Sequence, residues 1–250
     1  MKIYKLIAAA LLGLSFTGAA NAQDVIRMGT EGAYPPFNYI NKDGSVGGFD
    51  IDVGNALCQQ MQVKCVWVTQ AWDGIIPALL AHKFDTIVAS MSITPEREKA
   101  VSFTNPYYSN KLQFVGPKAR PFEPTAAAMK GMTVGAQRAT IAAQWLDQHM
   151  KGVVDVKLYD TQENANLDLA NGRLNAILAD KYVTYNWLKS KEGQAYEFMG
   201  QPVYSGDKIG IAVRKGDNAL REKLNKALAA IIADGTYKKI NDKYFPFSIY

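Results

Sequence analysis

Two cysteines and two histidines are all that this 250-residue chain has of the residue types that most often hold metals. His82 and His149 stand alone, without ligand spacing, and read as surface or helix-end residues, so no metal and no cofactor are expected. Cys58 and Cys65 lie seven apart in LCQQMQVKC, too few for a disulfide framework. Only one long apolar run exists, Leu6 to Phe16, preceded by Lys2 and Lys5 and followed by the A-x-A site Ala20-Asn21-Ala22. That is the pattern of a secretory signal peptide over residues 1–22, cleaved near Ala22, and not of a membrane span. No cysteine follows the cleavage site, which argues against a lipid anchor. Charge is scarce too: removing the two leading lysines takes the formal charge from +5 to +3. That is too mild a balance to point to nucleic acid.

What is present fits an exported α/β protein. With 48% apolar residues and some 228 positions after cleavage, the chain can bury a core in one large domain or two small lobes. Export meets an oxidising compartment, so a local Cys58–Cys65 disulfide is expected, with two buried thiols as the alternative. VIRMGT reads as a strand, EGAYPPF as a proline-stiffened loop carrying Glu31 and Tyr34, and FNYINKDGSVGGF as a hairpin turning at Asp43-Gly44. Asp50 is expected to cap the helix DIDVGNALCQQM, with Asp52 a surface carboxylate. Trp72-Asp73 opens the helix WDGIIPALLAHK.

The stretch from Phe84 to Thr104 carries the most chemistry. FDTIVAS reads as a buried strand, SMSIT as a hydroxyl-rich turn, and Thr94-Pro95 as an N-cap with proline at the first helical position. Unpaired amides at such a turn favour an anion, and Arg97 beside it can clamp a carboxylate through two parallel bonds. The alternative is an ordinary strand–turn–helix with a solvated arginine. The pattern recurs: FDTIVAS (84–90) aligns without a gap with LNAILAD (174–180), and VIRMGTE (25–31) has a counterpart in MTVGAQ (132–137). Alternating strands and helices argue for parallel sheets, with ligands beyond the carboxyl ends of the strands. Glu31 and Ser90 then fall on one rim of a cleft, Gln137 and Asp180 on the other.

GTEGAYPPF, GGFDIDVGNALC, SMSITPER, FTNPYY, NGRLNAILAD and ADGTYKKINDKYFPF together span nearly the full mature length. In that order they resemble periplasmic amino-acid-binding proteins of ABC importers, the group of lysine/arginine/ornithine, histidine and opine binders. The resemblance implies the two-lobed periplasmic-binding-protein fold of type II, two parallel-sheet lobes joined by two hinge strands. Lobe one would comprise 23–110 and 209–250, lobe two 111–208, with crossings near Ser109–Gln113 and Pro202–Lys208. The helix ALREKLNKALAAIIADG would pack on lobe one and end at Gly235.

By the same resemblance, Arg97 clamps a ligand α-carboxylate with amides near Ser92 and Thr140. Asp180 and the Ser90 region take the α-ammonium, Tyr34 and Trp72 sandwich the aliphatic part, and Glu31 meets a distal positive group. Gln137 and Met91 complete the expected ligand-binding set, although the Met91 side chain itself reads as core. Two departures matter. Where the family commonly has a Gly-Thr-Thr type turn in lobe two, this chain has Gln137-Arg138-Ala139-Thr140-Ile141, whose Arg138 either points to solvent or pairs with the second carboxylate of an opine such as octopine or nopaline; Glu31 stands where Asp is frequent. The implied function is capture of a cationic amino acid (arginine, lysine, ornithine or histidine) or an opine. The implied partners are the permease subunits of an inner-membrane ABC transporter, and the state a periplasmic monomer. The rival is an enzyme on the same fold, similar to a cyclohexadienyl dehydratase. Against it, no nucleophile–base pair and no second carboxylate on the same rim are evident.

Overall fold

The computed structural model describes residues 24–250, so the expected signal peptide lies outside the described residues. The chain starts with β1 (Val25–Thr30), the short meander β2 (Ala33–Tyr34), β3 (Asn38–Ile40) and β4 (Val46–Gly47), and α1 (Phe49–Met61). β5 (Lys64–Thr69), a 3-10 turn at Trp72–Gly74, α2 (Ile75–Leu80), β6 (Thr86–Ile87), α3 (Pro95–Glu98) and β7 (Val101–Phe103) follow. Then come β8 (Tyr108–Pro117), α4 (Ala126–Met129), β9 (Thr133–Gln137), α5 (Ile141–His149) and β10 (Asp155–Tyr159). After these are α6 (Gln162–Ala170), β11 (Ala176–Asp180), α7 (Lys181–Trp187), β12 (Tyr196–Ile209), β13 (Ala212–Arg214), α8 (Asn218–Ala233) and α9 (Thr236–Tyr244).

Two five-stranded sheets result, in the orders β5-β1-β6-β13-β7 and β10-β9-β11-β8-β12. Both are mixed rather than parallel. In the first, β1 runs parallel to β5 and β6, but β13 is antiparallel to β6 and β7. In the second, β9 is parallel to β10 and β11, while β8 runs antiparallel to both β11 and β12. The cause is the crossing itself. A chain that leaves one lobe along β8 and returns along β12 enters each sheet from the opposite end to the βα units already there. β8 and β12 pair from Tyr108↔Ile209 outward, with register shifts between Met199 and Tyr204 and again before Asp207.

β6 is central and covered on both faces, so its flanks Phe84, Val88, Ala89 and Ser90 are buried without alternation. β5 is an edge strand and does alternate. The first core joins Met28, Val53, Leu57 and Ile211 to Leu224, Leu228, Ile231 and Phe245 of the C-terminal segment, so α8 and α9 complete the first lobe. Gly235, at φ 80°, closes α8 as the left-handed residue beyond its C-cap and releases the chain into α9, a helix that the sequence pattern did not announce.

Cys58 and Cys65 are bonded, tying α1 to β5. Closing a loop this short stabilises by about 2–3 kcal/mol in the chain-entropy view. Replacing both cysteines by serine should lower the melting temperature by roughly 5–10 °C with ligand affinity unchanged. An unaltered melt would show that the bond adds nothing.

Asp50 departs from expectation. The N-cap of α1 is Gly48, at φ 123°, where an added Cβ would lie 2.2 Å from the Phe37 carbonyl oxygen. Asp50 is thereby carried into the helix and wholly buried. Asp52 is half-buried and accepts bonds from Lys243 and Tyr244 of α9 (both 2.7 Å).

Candidate functional site

A cavity lies between the lobes, lined by Glu31, Tyr34, Trp72, Ser90, Ser92, Arg97, Gln137, Thr140 and Asp180, with Ala89 and Ile141. The internal repeat explains the convergence. β9 and β11 end at Gln137 and Asp180, while Glu31 and Ser90 lie one and three residues beyond the ends of β1 and β6, so the carboxyl ends of four equivalent strands supply the lining. Of the expected residues only Met91 is absent from the lining. Its side chain packs in the core with Leu79, Phe84 and Phe103, because the turn sends Ser90 and Ser92 toward the cleft and Met91 away from it.

The lobes touch across the cleft. Gln137 Nε2 donates to Glu31 Oε1 (2.6 Å), and Trp72 Nε1 to the Ala139 carbonyl (3.2 Å). Arg97 donates to the Ser92 carbonyl on its own lobe (2.9 Å) and to the Ala139 carbonyl on the other (3.1 Å), and its guanidinium stands 5.2 Å from the Trp72 ring centre. Thr94 caps α3 by accepting from the Arg97 amide, with Pro95 at the first position, which fixes where the arginine starts. Thr140 caps α5 in the same way, accepting from Ala143, so the positive end of α5 opens on the cleft opposite Arg97. Ser90 (φ 54°) and Ala139 (φ 56°) hold left-handed backbone on facing sides of the cavity. Strain of this kind persists where the surroundings over-determine it.

Burial sets the electrostatics. The Glu31 carboxyl is pushed up to about 7, by desolvation first, against the hydrogen bond from Gln137 that holds it down. Asp180 occupies the N-cap of α7 yet makes no capping bond, so its carboxylate is free to face the cleft. It is raised well above the usual carboxylate range by burial and then by the charge of Asp207. The Tyr34 phenol is raised by burial and then by Asp180. Desolvation lowers Arg97, which the charges of Asp207 and Asp180 counteract.

Asp207 is the residue that the sequence reading missed. It is buried in β12 and accepts from Asn110 Nδ2 (3.0 Å) and Ser92 Oγ (3.2 Å), and burial raises its carboxyl. Asp207 thus adds a buried carboxylate behind the Ser92 turn, without lining the cavity itself. A signal was available: in Asp207-Lys208-Ile209 strand alternation turns Asp207 inward with Ile209 and Lys208 outward. Asp207 also sits where the Ser92 turn is laced to β12, through the Ser92↔Ile209 bridge and the Ile93 amide to Lys208 carbonyl bond (2.8 Å). Arg138 is not in the lining either. It pairs with Asp160 (2.7 Å) and lies 4.0 Å from Asp73 on the other lobe, so Arg97 is the one cation that lines the cavity.

Chemically, the lining brings together one cation (Arg97), the carboxyls of Glu31 and Asp180, the hydroxyls of Ser90, Ser92 and Thr140, and the rings of Tyr34 and Trp72. Residues 26–247 match the model of the bacterial extracellular solute-binding proteins, family 3. The L-arginine-binding protein of Pseudomonas aeruginosa is 41% identical over 256 residues, covering 100% of this chain and 99% of the relative. The ABC transporter arginine-binding protein 1 of Escherichia coli is 44% identical over 245 residues, covering 97% and 99%. An ancestral arginine-binding protein solved with arginine bound superposes with a TM-score of 0.84 at 37% identity, over 89% of this chain and 99% of that one. Fold, full-length coverage and identity together make this chain a member of family 3 of the bacterial extracellular solute-binding proteins, with their two-lobed α/β architecture.

Proposed function

We propose that this protein captures a cationic L-amino acid, arginine first, between its lobes in the periplasm and presents it, as a monomer, to the permease of an ABC importer. The observation that carries the cationic ligand is Glu31. It is a desolvated acid in the cavity lining, and among the described residues no cation acts on its carboxyl. A buried carboxylate without a counter-ion costs several kcal/mol unless protonated, and a guanidinium or ammonium supplied by the ligand removes that cost. Arg97 and the amides at the start of α5 take the α-carboxylate. Asp180 and Ser90 take the α-ammonium, and Tyr34 and Trp72 accept the methylenes between, since aromatic faces serve both aliphatic and cationic groups. The ligand thus bridges both lobes, which is what allows it to favour the closed arrangement over an open one. β8 and β12, interrupted before Asp207, are the hinge in this reading.

One feature favours an amino acid over an opine: Arg138, which a second carboxylate would need, is engaged with Asp160. The curated relatives above are named as binding proteins, not enzymes.

Calorimetry of Glu31→Gln against L-arginine and L-glutamine tests the reading. The variant should weaken arginine by about 10- to 100-fold, the worth of a charge-assisted contact, and glutamine by far less. Equal losses for both would refute the distal role of Glu31.

A further inference from the structure

Asp50 has no atom in the ligand cavity, yet it holds the lobe-one half of that cavity together. Its carboxylate, 0% exposed, accepts three side-chain bonds: from Tyr107 Oη (2.7 Å), Ser90 Oγ (2.9 Å) and Asn38 Nδ2 (2.9 Å). Asn38 in turn accepts from the Gly32 amide (2.8 Å), in the loop that carries Glu31 and Tyr34. Tyr107 Oη, donating to Asp50, accepts from the Ser90 amide (3.2 Å). Two of the cavity-lining segments of lobe one, the Glu31–Tyr34 loop and the Ser90 turn, therefore hang on a single buried acid. Burial raises Asp50 to about 6 while the three donors hold it down, so it is ionised at neutral pH.

The consequence lies at Ser90. A serine hydroxyl has one hydrogen and two lone pairs, and it can present either to a ligand. Here the hydrogen is donated to Asp50, inside a pocket where Ser90 is buried. What faces the cavity is lone pairs only, on an oxygen made more electron-rich by donating to an anion, since chained hydrogen bonds polarise one another. An ammonium has three donors and no acceptor, so such an oxygen suits it and disfavours a ligand group that can only accept. We propose that Asp50 is a positioning residue for ligand capture: by taking the Ser90 hydrogen it makes Ser90 an obligate acceptor for the ligand's α-ammonium. This inference rests on the amino-acid reading of the cleft and goes beyond it by adding a residue that never touches the ligand.

The test is a double-mutant cycle on L-arginine affinity at pH 7.5, with Asp50→Asn, Ser90→Ala and the double variant. Asp50→Asn should weaken arginine about 30-fold and Ser90→Ala about tenfold, the scale of hydrogen bonds to charged groups. Because one effect runs through the other, the double variant should fall no more than about threefold below the weaker single variant, instead of the roughly 300-fold total of independent losses. A merely structural Asp50 would lower stability, read by thermal melts, and would leave the two affinity losses independent. Full additivity, or Asp50→Asn binding within about twofold of the parent, overturns the proposal. Should Asp50→Asn fail to fold, Ser90→Ala carries the test alone: binding of arginine by that variant within about twofold of the parent overturns the proposal. If the parent itself binds no arginine, the proposed ligand class fails; if the parent binds and the cycle is additive, only the role of Asp50 fails.

Discussion

Arg97→Ala should bind no amino acid at concentrations that saturate the parent, and should still fold. Arg97 is the one cation lining the cavity, and desolvation already lowers its pKa, so a bound carboxylate has no substitute partner there. Removing one member of a buried, hydrogen-bonded charge pair costs about 2–5 kcal/mol, which is roughly 30- to several-thousand-fold in affinity. The same substitution removes the bond to Ala139 across the cleft, so closure loses a contact as well. Folding is spared because the guanidinium is held by two carbonyls rather than by the core, while Thr94 and Pro95 set the helix start independently of the side chain. Arg97→Lys should recover little, since an ammonium cannot reproduce the planar fork or lie flat on Trp72. Titration calorimetry with arginine decides it. Near-parent affinity in a folded Arg97→Ala protein would remove Arg97 from the site.

The second large effect is on pH. In the closed cleft without a ligand, Glu31 is raised to about 7, so it holds a proton below that pH. A ligand cation favours the carboxylate and lowers the bound-state pKa, so capture below pH 7 must expel the proton. The sign follows: affinity is complete above about pH 7.5 and is lost as pH falls through 7. One such group costs about tenfold per pH unit. Asp180 is raised for the same reason, burial first, and the α-ammonium lowers it in the same direction, so the slope approaches two protons per ligand where both titrate. Between pH 7.5 and 5.0 the dissociation constant for arginine should rise by about 100-fold or more. Glu31→Gln should remove one proton from that slope. Calorimetry in two buffers of different ionisation enthalpy counts the protons directly. A pH-independent affinity over this range would mean that neither acid meets a ligand cation.

Local features were legible and distant ones were not. Thr94, Pro95 and Arg97 fall within four residues, so the cap, the helix start and the arginine could be read together. Cys58 and Cys65, seven apart, left little choice of partner. The repeat of FDTIVAS in LNAILAD placed Ser90 and Asp180 at matching strand ends, and the structure brings both into one cavity. Asp50, by contrast, has the composition of a helix-start carboxylate, and only partners 40 and 57 residues away reveal it as a buried hub. Arg138 sat in the right turn to meet a ligand, but the Arg138 amide pairs with the Tyr159 carbonyl where β10 ends, which sets the side chain beside Asp160 and away from the cavity.

By itself, then, the sequence determined the α/β grammar, the signal-peptide pattern, the family and nearly all of the cavity lining, because each is written in short-range patterns of period, capping and motif. Tertiary structure alone decided three things. The sheets are mixed, because the direction of β8, β12 and β13 depends on how the chain crosses between lobes. Asp207 belongs beside Asp180 and Arg97, because a hinge strand delivers it to the cleft. The acids of the site are raised in pKa, because desolvation depends on which lobe surfaces meet, a property that no stretch of sequence carries until the chain has folded across the cleft.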